Sequence, residues 1–213
     1  MIEFFFDCSS PWTYLAFHNV QPVAAQIGVP IQWRPILVGG VFNAVNPSVY
    51  AQRDHPVPAK LAYMLKDLQD WALAAGLVIR MPPTVFPVNS VKAMRACVWL
   101  GQSPDMVRFA RAVFEAYWSR DQDISQDQVL SDICTQCGID FTDMLAAITR
   151  ADIKAQLKAN VDELVRRGGF GSPTMFVGDD MYFGNDRLEL VRVAALSQET
   201  ARQQRRGPEP ART

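Results

Sequence analysis

The chain reads as an α/β protein: one open sheet built from both ends of the polypeptide and interrupted by an all-helical insertion. Two observations predict this. The first residues run strand–helix–strand and the last run strand–strand–helix. Between them lie about 120 residues whose apolar positions recur with helical spacing.

Residues 2–7, Ile-Glu-Phe-Phe-Phe-Asp, form an apolar run too short for a stable helix and suited to a central strand. Pro11 stands at the first turn of the next segment, where its missing N–H costs nothing. Tyr14 to Ile27 reads as a helix ended near Gly28, and Val29 to Ile36 as a second strand. A long loop is expected from Leu37 to Pro58, with Gly39, Gly40 and three prolines. Such loops in compact domains usually carry function.

Leu61, Met64, Leu65, Leu68, Trp71 and Ala75 recur at helical spacing, and Met81 to Pro87 breaks the pattern. Asn89-Ser90 can cap a helix through Leu100, and Ser103-Pro104 opens another whose apolar face holds Met106, Ala110, Val113, Phe114 and Tyr117. Ser125 to Gln128 has capping-box spacing. Further helices follow at Phe141–Thr149 and Asp152–Arg167. Pro173 to Val177 is a strand, Gly178-Asp179-Asp180 a hairpin turn, Met181 to Phe183 its partner, and Asp186 opens the last helix. The expected organisation is a discontinuous domain of residues 1–37 and 168–198, a lid loop and helical insertion at 38–167, and a flexible tail at 199–213.

The chain has 213 residues, 49% hydrophobic, with net charge −1. A sizeable core is available, and a general nucleic-acid or membrane-surface binder is not indicated. No apolar run approaches the ~20 residues of a membrane helix. The opening apolar run is short, lacks a basic flank and is broken by Asp7, unlike a secretory signal. A cytoplasmic protein with reduced cysteines is expected.

The chemistry concentrates in Ser10-Pro11-Trp12-Thr13. It looks like a Cys-Pro-x-Cys redox turn with hydroxyls in place of both thiols. Such a turn keeps the geometry for holding a sulfur at a helix N-terminus, and the thiol of bound glutathione is the evident candidate. A helix dipole and a hydrogen bond from Ser10 would both favour the thiolate. Alone, Ser10 reads as an ordinary N-cap.

Further segments resemble one family: Phe5-Phe6-Asp7; Leu37-Val38-Gly39-Gly40-Val41-Phe42; Pro58-Ala59-Lys60 with Tyr63-Met64; Ala93-Met94-Arg95; Trp118-Ser119-Arg120-Asp121; Phe170-Gly171-Ser172-Pro173-Thr174; and Phe183-Gly184-Asn185-Asp186. In this order they resemble the 2-hydroxychromene-2-carboxylate isomerases and kappa-class glutathione transferases, of the DsbA-like branch of the thioredoxin superfamily. The resemblance implies a thioredoxin-like fold with a large all-helical insertion. It also implies a glutathione-dependent isomerase in which Ser10 holds the glutathione thiolate.

By that resemblance, Pro173 follows a cis peptide, and Ser172 meets the cysteinyl backbone of glutathione. Before the last helix, Gly184, Asn185 and Asp186 offer free N–H groups and an acceptor suited to the glutamyl end, though alone they read as a plain helix cap. Asn46 and Lys60 in the long loop are candidates to close over the ligand, though alone they read as solvated. Trp12, Phe42, Asn43 and Arg53 are candidates to line the site of a small aromatic carboxylate, with Arg53 or Lys60 as the cation. A homodimer is expected, and no metal. Three places depart from the family: the loop after Asn46 is longer, Asn43 stands where relatives carry a basic residue, and Ser172 replaces a small apolar one.

The alternatives are a kappa-like glutathione transferase and a non-catalytic binding module of the same fold. A dithiol oxidoreductase is disfavoured, because no Cys-x-x-Cys lies at the first helix. Cys8 reads as a buried strand-end cysteine, and Cys134 with Cys137 as packing residues at the end of a helix.

Overall fold

The computed structural model describes residues 1–206. Strand β1 (Ile2–Phe6), helix α1 (Pro11–Gln26) and β2 (Ile31–Pro35) open the chain. Then come α2 (Val38–Val45), α3 (Ser48–Asp54), α4 (Pro58–Ala74), α5 (Val91–Leu100) and α6 (Pro104–Phe114), which runs on into a π-helical turn at Glu115–Ser119. After α7 (Asp127–Cys137), α8 (Phe141–Thr149) and α9 (Ala151–Arg166), the chain returns to the sheet as β3 (Thr174–Val177) and β4 (Asp180–Phe183). A 3-10 turn (Asn185–Arg187) leads into α10 (Leu188–Arg206).

The sheet order is β2-β1-β3-β4. β1 pairs parallel with β2 and antiparallel with β3, so the two ends of the chain meet along one strand. Alternation on β1 divides the core in two. Ile2, Phe4 and Phe6 point into the larger cluster, where Phe4 meets Trp33 edge-on at 5.4 Å and Phe6 lies 5.6 Å from Phe17. Phe5 faces the other way, against Phe176 and beneath Val41 of α2 and Leu164 of α9. Helices therefore cover both faces, which explains why Phe5 is as fully buried as Phe4 and Phe6 on the other side of the strand.

The helical insertion is anchored to the turn after β1. Trp118 is fully buried, and its Nε1 donates to the Cys8 carbonyl at 2.9 Å, while the Cys8 N–H reaches Met94 Sδ at 3.4 Å. These two bonds tie the segment that carries Ser10 to α5 and to the π-helical turn.

Several expectations are corrected. The segment from Leu37 to Pro58 is not a structureless loop but holds α2 and α3. Its glycines weaken helix propensity, yet burial of Val38 and Val41 and a bond from Val38 N–H to the Asp7 carboxylate, 2.8 Å, override it. The capping box at Ser125 does not form: Gln126 is the N-cap, and Ser125 N–H is held by Asp123 Oδ1 at 2.9 Å. The hairpin turn is Gly178-Asp179 alone, since Asp180 pairs with Val177. α10 continues through Arg206, so the first part of the expected tail is helical, and the rest, 207–213, lies outside the described residues. Among the described residues no helix is long and apolar enough to cross a membrane.

Candidate active site

Strand β1 stops at Phe6 and the chain turns through Asp7–Ser10 into α1. Ser10 is the N-cap, extended at φ −110° and ψ 124°, and its Oγ accepts from Thr13 N–H at 3.2 Å. Its own proton is aimed elsewhere. Ser10 Oγ donates to the Ser172 carbonyl at 3.2 Å, across the gap between the first helix and the loop before β3.

A second hydroxyl contact lies beneath the first. Thr13 Oγ1 and Ser172 Oγ are 2.7 Å apart, and Ser172 Oγ also accepts from Asp7 N–H at 3.2 Å. Both positions of the redox-like turn are thus tied to Ser172, one through its backbone and one through its side chain. The Ser172–Pro173 peptide is cis, as the resemblance implies. Among the described residues the Ser172 N–H makes no hydrogen bond, and its carbonyl receives only Ser10. The residue before Pro173 therefore offers a donor and an acceptor to an incoming extended backbone.

Asp7 is buried, at 1% exposure. Its carboxylate accepts from Ser9 N–H at 2.9 Å and Val38 N–H at 2.8 Å, and Ser90 adds a side-chain bond. Burial raises its pKa, and these donors pull the other way without overcoming it. Asp7 forms part of the wall of a cavity of about 320 Å³, with Ser9, Phe42, Tyr50, Arg53, Phe86 and Ser90 among the other residues around it. The Arg53 guanidinium sits over two rings, 5.6 Å from the centre of Phe42 and 5.5 Å from that of Phe86. It makes no ion pair among the described residues. A slot with aromatic walls and an uncommitted cation suits a flat anion.

The loop after β4 meets the segment of the cis peptide through Gly184 N–H, which bonds the Pro173 carbonyl at 3.2 Å, and neither this loop nor Ser10 and Ser172 is among the residues around the cavity. Gly184 has φ +101°, and a Cβ there would come within 2.8 Å of Asp186 Oδ1. Asn185 is buried, and its Oδ1 accepts from Asn19 Nδ2 at 3.0 Å. Its own Nδ2 is buried with no partner. A buried amide donor left over is costly unless something accepts it. Asp186 is exposed and paired with Arg187.

Of the remaining sequence candidates, Phe42 and Arg53 face the cavity, but Trp12, Asn43, Asn46 and Lys60 are not among the residues around it. Trp12 packs half-buried against the main core. Asn43 accepts from Tyr50 Oη at 2.8 Å, and Asn46 holds the Phe170 carbonyl at 3.2 Å, joining α2 to the loop before Ser172. Lys60 is exposed in the first turn of α4. Sequence reasoning placed Thr13 in the turn without giving it a role, and missed Asp7, Tyr50 and Phe86 as site residues. Asp7 had a signal, a carboxylate closing a strand of three phenylalanines. Phe86 had none, since only the fold carries its Pro-rich segment to Arg53.

The sequence model of the DSBA-like thioredoxin domain matches residues 1–195. The chain belongs to the DsbA-like thioredoxin family. Within that family it is 31% identical over 202 residues to 2-hydroxychromene-2-carboxylate isomerase of Pseudomonas putida, covering 91% of this chain and 93% of that one. It is 27% identical to glutathione S-transferase kappa 1 of Homo sapiens, over 89% and 88% of the two chains. A solved 2-hydroxychromene-2-carboxylate isomerase superposes with a TM-score of 0.78 at 24% identity, covering 98% of this chain and 99% of that one. In this chain the first and fourth positions of the turn are the hydroxyl residues Ser10 and Thr13. Among the described residues no group of histidines, cysteines and acids could hold a metal.

Proposed function

We propose that this protein is a glutathione-dependent isomerase of the 2-hydroxychromene-2-carboxylate type. The observation that carries the reading is the Ser10 hydroxyl at the N-terminus of α1, bonded to the Ser172 carbonyl beside a Ser172 N–H that is unpaired among the described residues, with hydroxyls at Ser10 and Thr13 in place of thiols. Glutathione, when bound, would supply a thiolate able to add reversibly to a conjugated carbon and leave unchanged.

The residues present fit that ligand. Ser172 offers a backbone donor and acceptor to its cysteinyl unit. The unpartnered Asn185 Nδ2, with the N–H groups of Asn185 and Asp186, suits a carboxylate at its glutamyl end. Ser10 and the positive end of α1 hold negative charge on sulfur. Asn46, held to Phe170, and Lys60 remain proposed closing contacts. Phe42 and Phe86 form the proposed walls for the aromatic substrate, and Arg53 its carboxylate partner. Trp12 and Asn43 are proposed at the margin of the slot. Cytoplasmic residence and a homodimer belong to the same reading.

Isomerase and transferase differ in the fate of the thiol. Incubation with 2-hydroxychromene-2-carboxylate and catalytic glutathione separates them, with product followed by absorbance and thiol by a thiol reagent. Many turnovers at constant thiol are expected. One thiol lost per turnover would assign the transferase, and absence of glutathione binding at millimolar concentration would leave a binding module.

A further inference from the structure

Ser10 has one hydroxyl proton and two claims on it. In the free protein that proton goes to the Ser172 carbonyl at 3.2 Å, while the oxygen accepts from Thr13 N–H. The α1 N-terminus thus already occupies the lone pair of Ser10 that faces it. A sulfur anion beside Ser10 can be served only by turning the proton away from Ser172. That carbonyl belongs to a residue only 8% exposed and has no other donor among the described residues. Stripping it of Ser10 leaves a buried acceptor unpaired, which carries the full desolvation penalty.

We propose that Ser10 is a switched donor: a ligand amide N–H arriving at the Ser172 carbonyl replaces Ser10 there and frees its proton for the ligand's sulfur. The inference rests on the glutathione reading and adds to it a coupling between backbone recognition and thiol ionisation. Ser10 keeps its proton throughout. The thiol proton leaves to water, and the Ser10 O–H turns from carbonyl to sulfur. The N–H of Ser172, free in the structure, pairs with the ligand carbonyl in the same strand-like step. A small thiol without an amide finds Ser10 committed to Ser172. The protein then activates a peptide thiol in preference to a simple one.

The Ser172 carbonyl reports the switch directly, because it precedes a proline and forms a tertiary amide. With that carbonyl isotope-labelled, its infrared band in the free protein should move to higher frequency in Ser10→Ala, which removes the donor. With saturating glutathione, above the pH at which the bound thiol ionises, wild type and Ser10→Ala should converge on one band, since the ligand N–H now serves the carbonyl in both. A band difference that persists in the complex would overturn the proposal.

Thiolate absorbance gives an independent measure. An ester analogue of glutathione, with oxygen in place of the cysteinyl N–H, should ionise on wild type roughly 10–100-fold less readily than glutathione, the scale of one hydrogen bond to a charged group. In Ser10→Ala the two ligands should ionise alike. Equal ionisation of both ligands on wild type, or a difference that survives in Ser10→Ala, would sink the switch while leaving glutathione binding intact. If calorimetry finds no glutathione binding to wild type, the glutathione reading itself fails and the switch falls with it.

Discussion

The Ser10 hydroxyl is the proposed donor to the thiolate, and its replacement is the first measurement to make. Ser10→Ala should lower turnover by roughly 10–1000-fold, the usual cost of losing one donor to a developing or stored anion. Glutathione should still bind through the backbone of Ser172 and the turn at Asn185. A fully active Ser10→Ala would move the thiolate contact to another group and remove the central assignment.

Asp7 gives a pH signature at the same scale. Burial is the largest influence on it and raises its carboxyl pKa above the ordinary aspartate value. The folded protein then holds a proton at pH values where the unfolded chain has released it. Stability from Asp7 is therefore greatest at acid pH and declines as pH rises from about 4 through the folded pKa. In urea unfolding, the advantage of wild type over Asp7→Asn should shrink across that window. An advantage that grows would mean that the Ser9, Val38 and Ser90 donors outweigh burial.

The cysteines are a third case. Burial lifts the Cys134 thiol to about 11 and raises Cys8 and Cys137 as well. Cys8, Cys97 and Cys134 are buried and Cys137 only half so. A thiol reagent should modify Cys137 first, with the others released only on unfolding. Simultaneous Cys134→Ala and Cys137→Ala should keep turnover in the folded protein. Its loss would revive a redox role for that pair.

Among the elements, two joints hold the site, and each has a single residue to test. Trp118 on the π-helical turn grips the Cys8 carbonyl. Trp118→Phe leaves that buried acceptor unpaired and should cost at least about 1–3 kcal/mol in equilibrium unfolding. The N-cap of α6 is simpler. Ser103 Oγ accepts from Met106 N–H at 3.2 Å, and Ser103→Ala should cost about 1 kcal/mol with no change in turnover. The contrast follows from placement: one side chain supports the turn that carries Ser10, the other only its own helix.

Helix α2 shows why an element can be invisible in a local pattern. Val38-Gly39-Gly40-Val41 has poor helix propensity, and the residues that offset it, Asp7 and Leu164, are far away in sequence. α6 and α9 carry their own apolar stripes and were legible at once. The capping box at Ser125 failed for a similar reason, since Asp123 competed for the same local bonds.

For the whole molecule, the sheet is a joint between chain ends: Phe5 of β1 pairs with Thr174 of β3. A ligand that spans Ser10, Ser172 and Asn185 touches both ends at once, so its binding should stabilise the fold as a unit. At a glutathione concentration about 100-fold above Kd the gain is about 2.7 kcal/mol, or a rise in Tm of roughly 5–10 °C for a chain of this size. A thermal scan with no shift at that concentration would contradict a site built across both ends.

The sequence by itself determined the α/β class, the helical insertion and the placing of Ser10 at a helix start, because these rest on local signals. Periodicity, proline at N1 and a strand-length apolar run need no partner to be read. The Ser10, Ser172 and Thr13 contacts join positions some 160 residues apart, the bond from Asn19 to Asn185 spans a similar separation, and Arg53 lies against rings from two different segments. Tertiary structure alone decided these. A hydrogen bond between distant residues depends on where the whole core places two backbones, and no spacing along the chain encodes that.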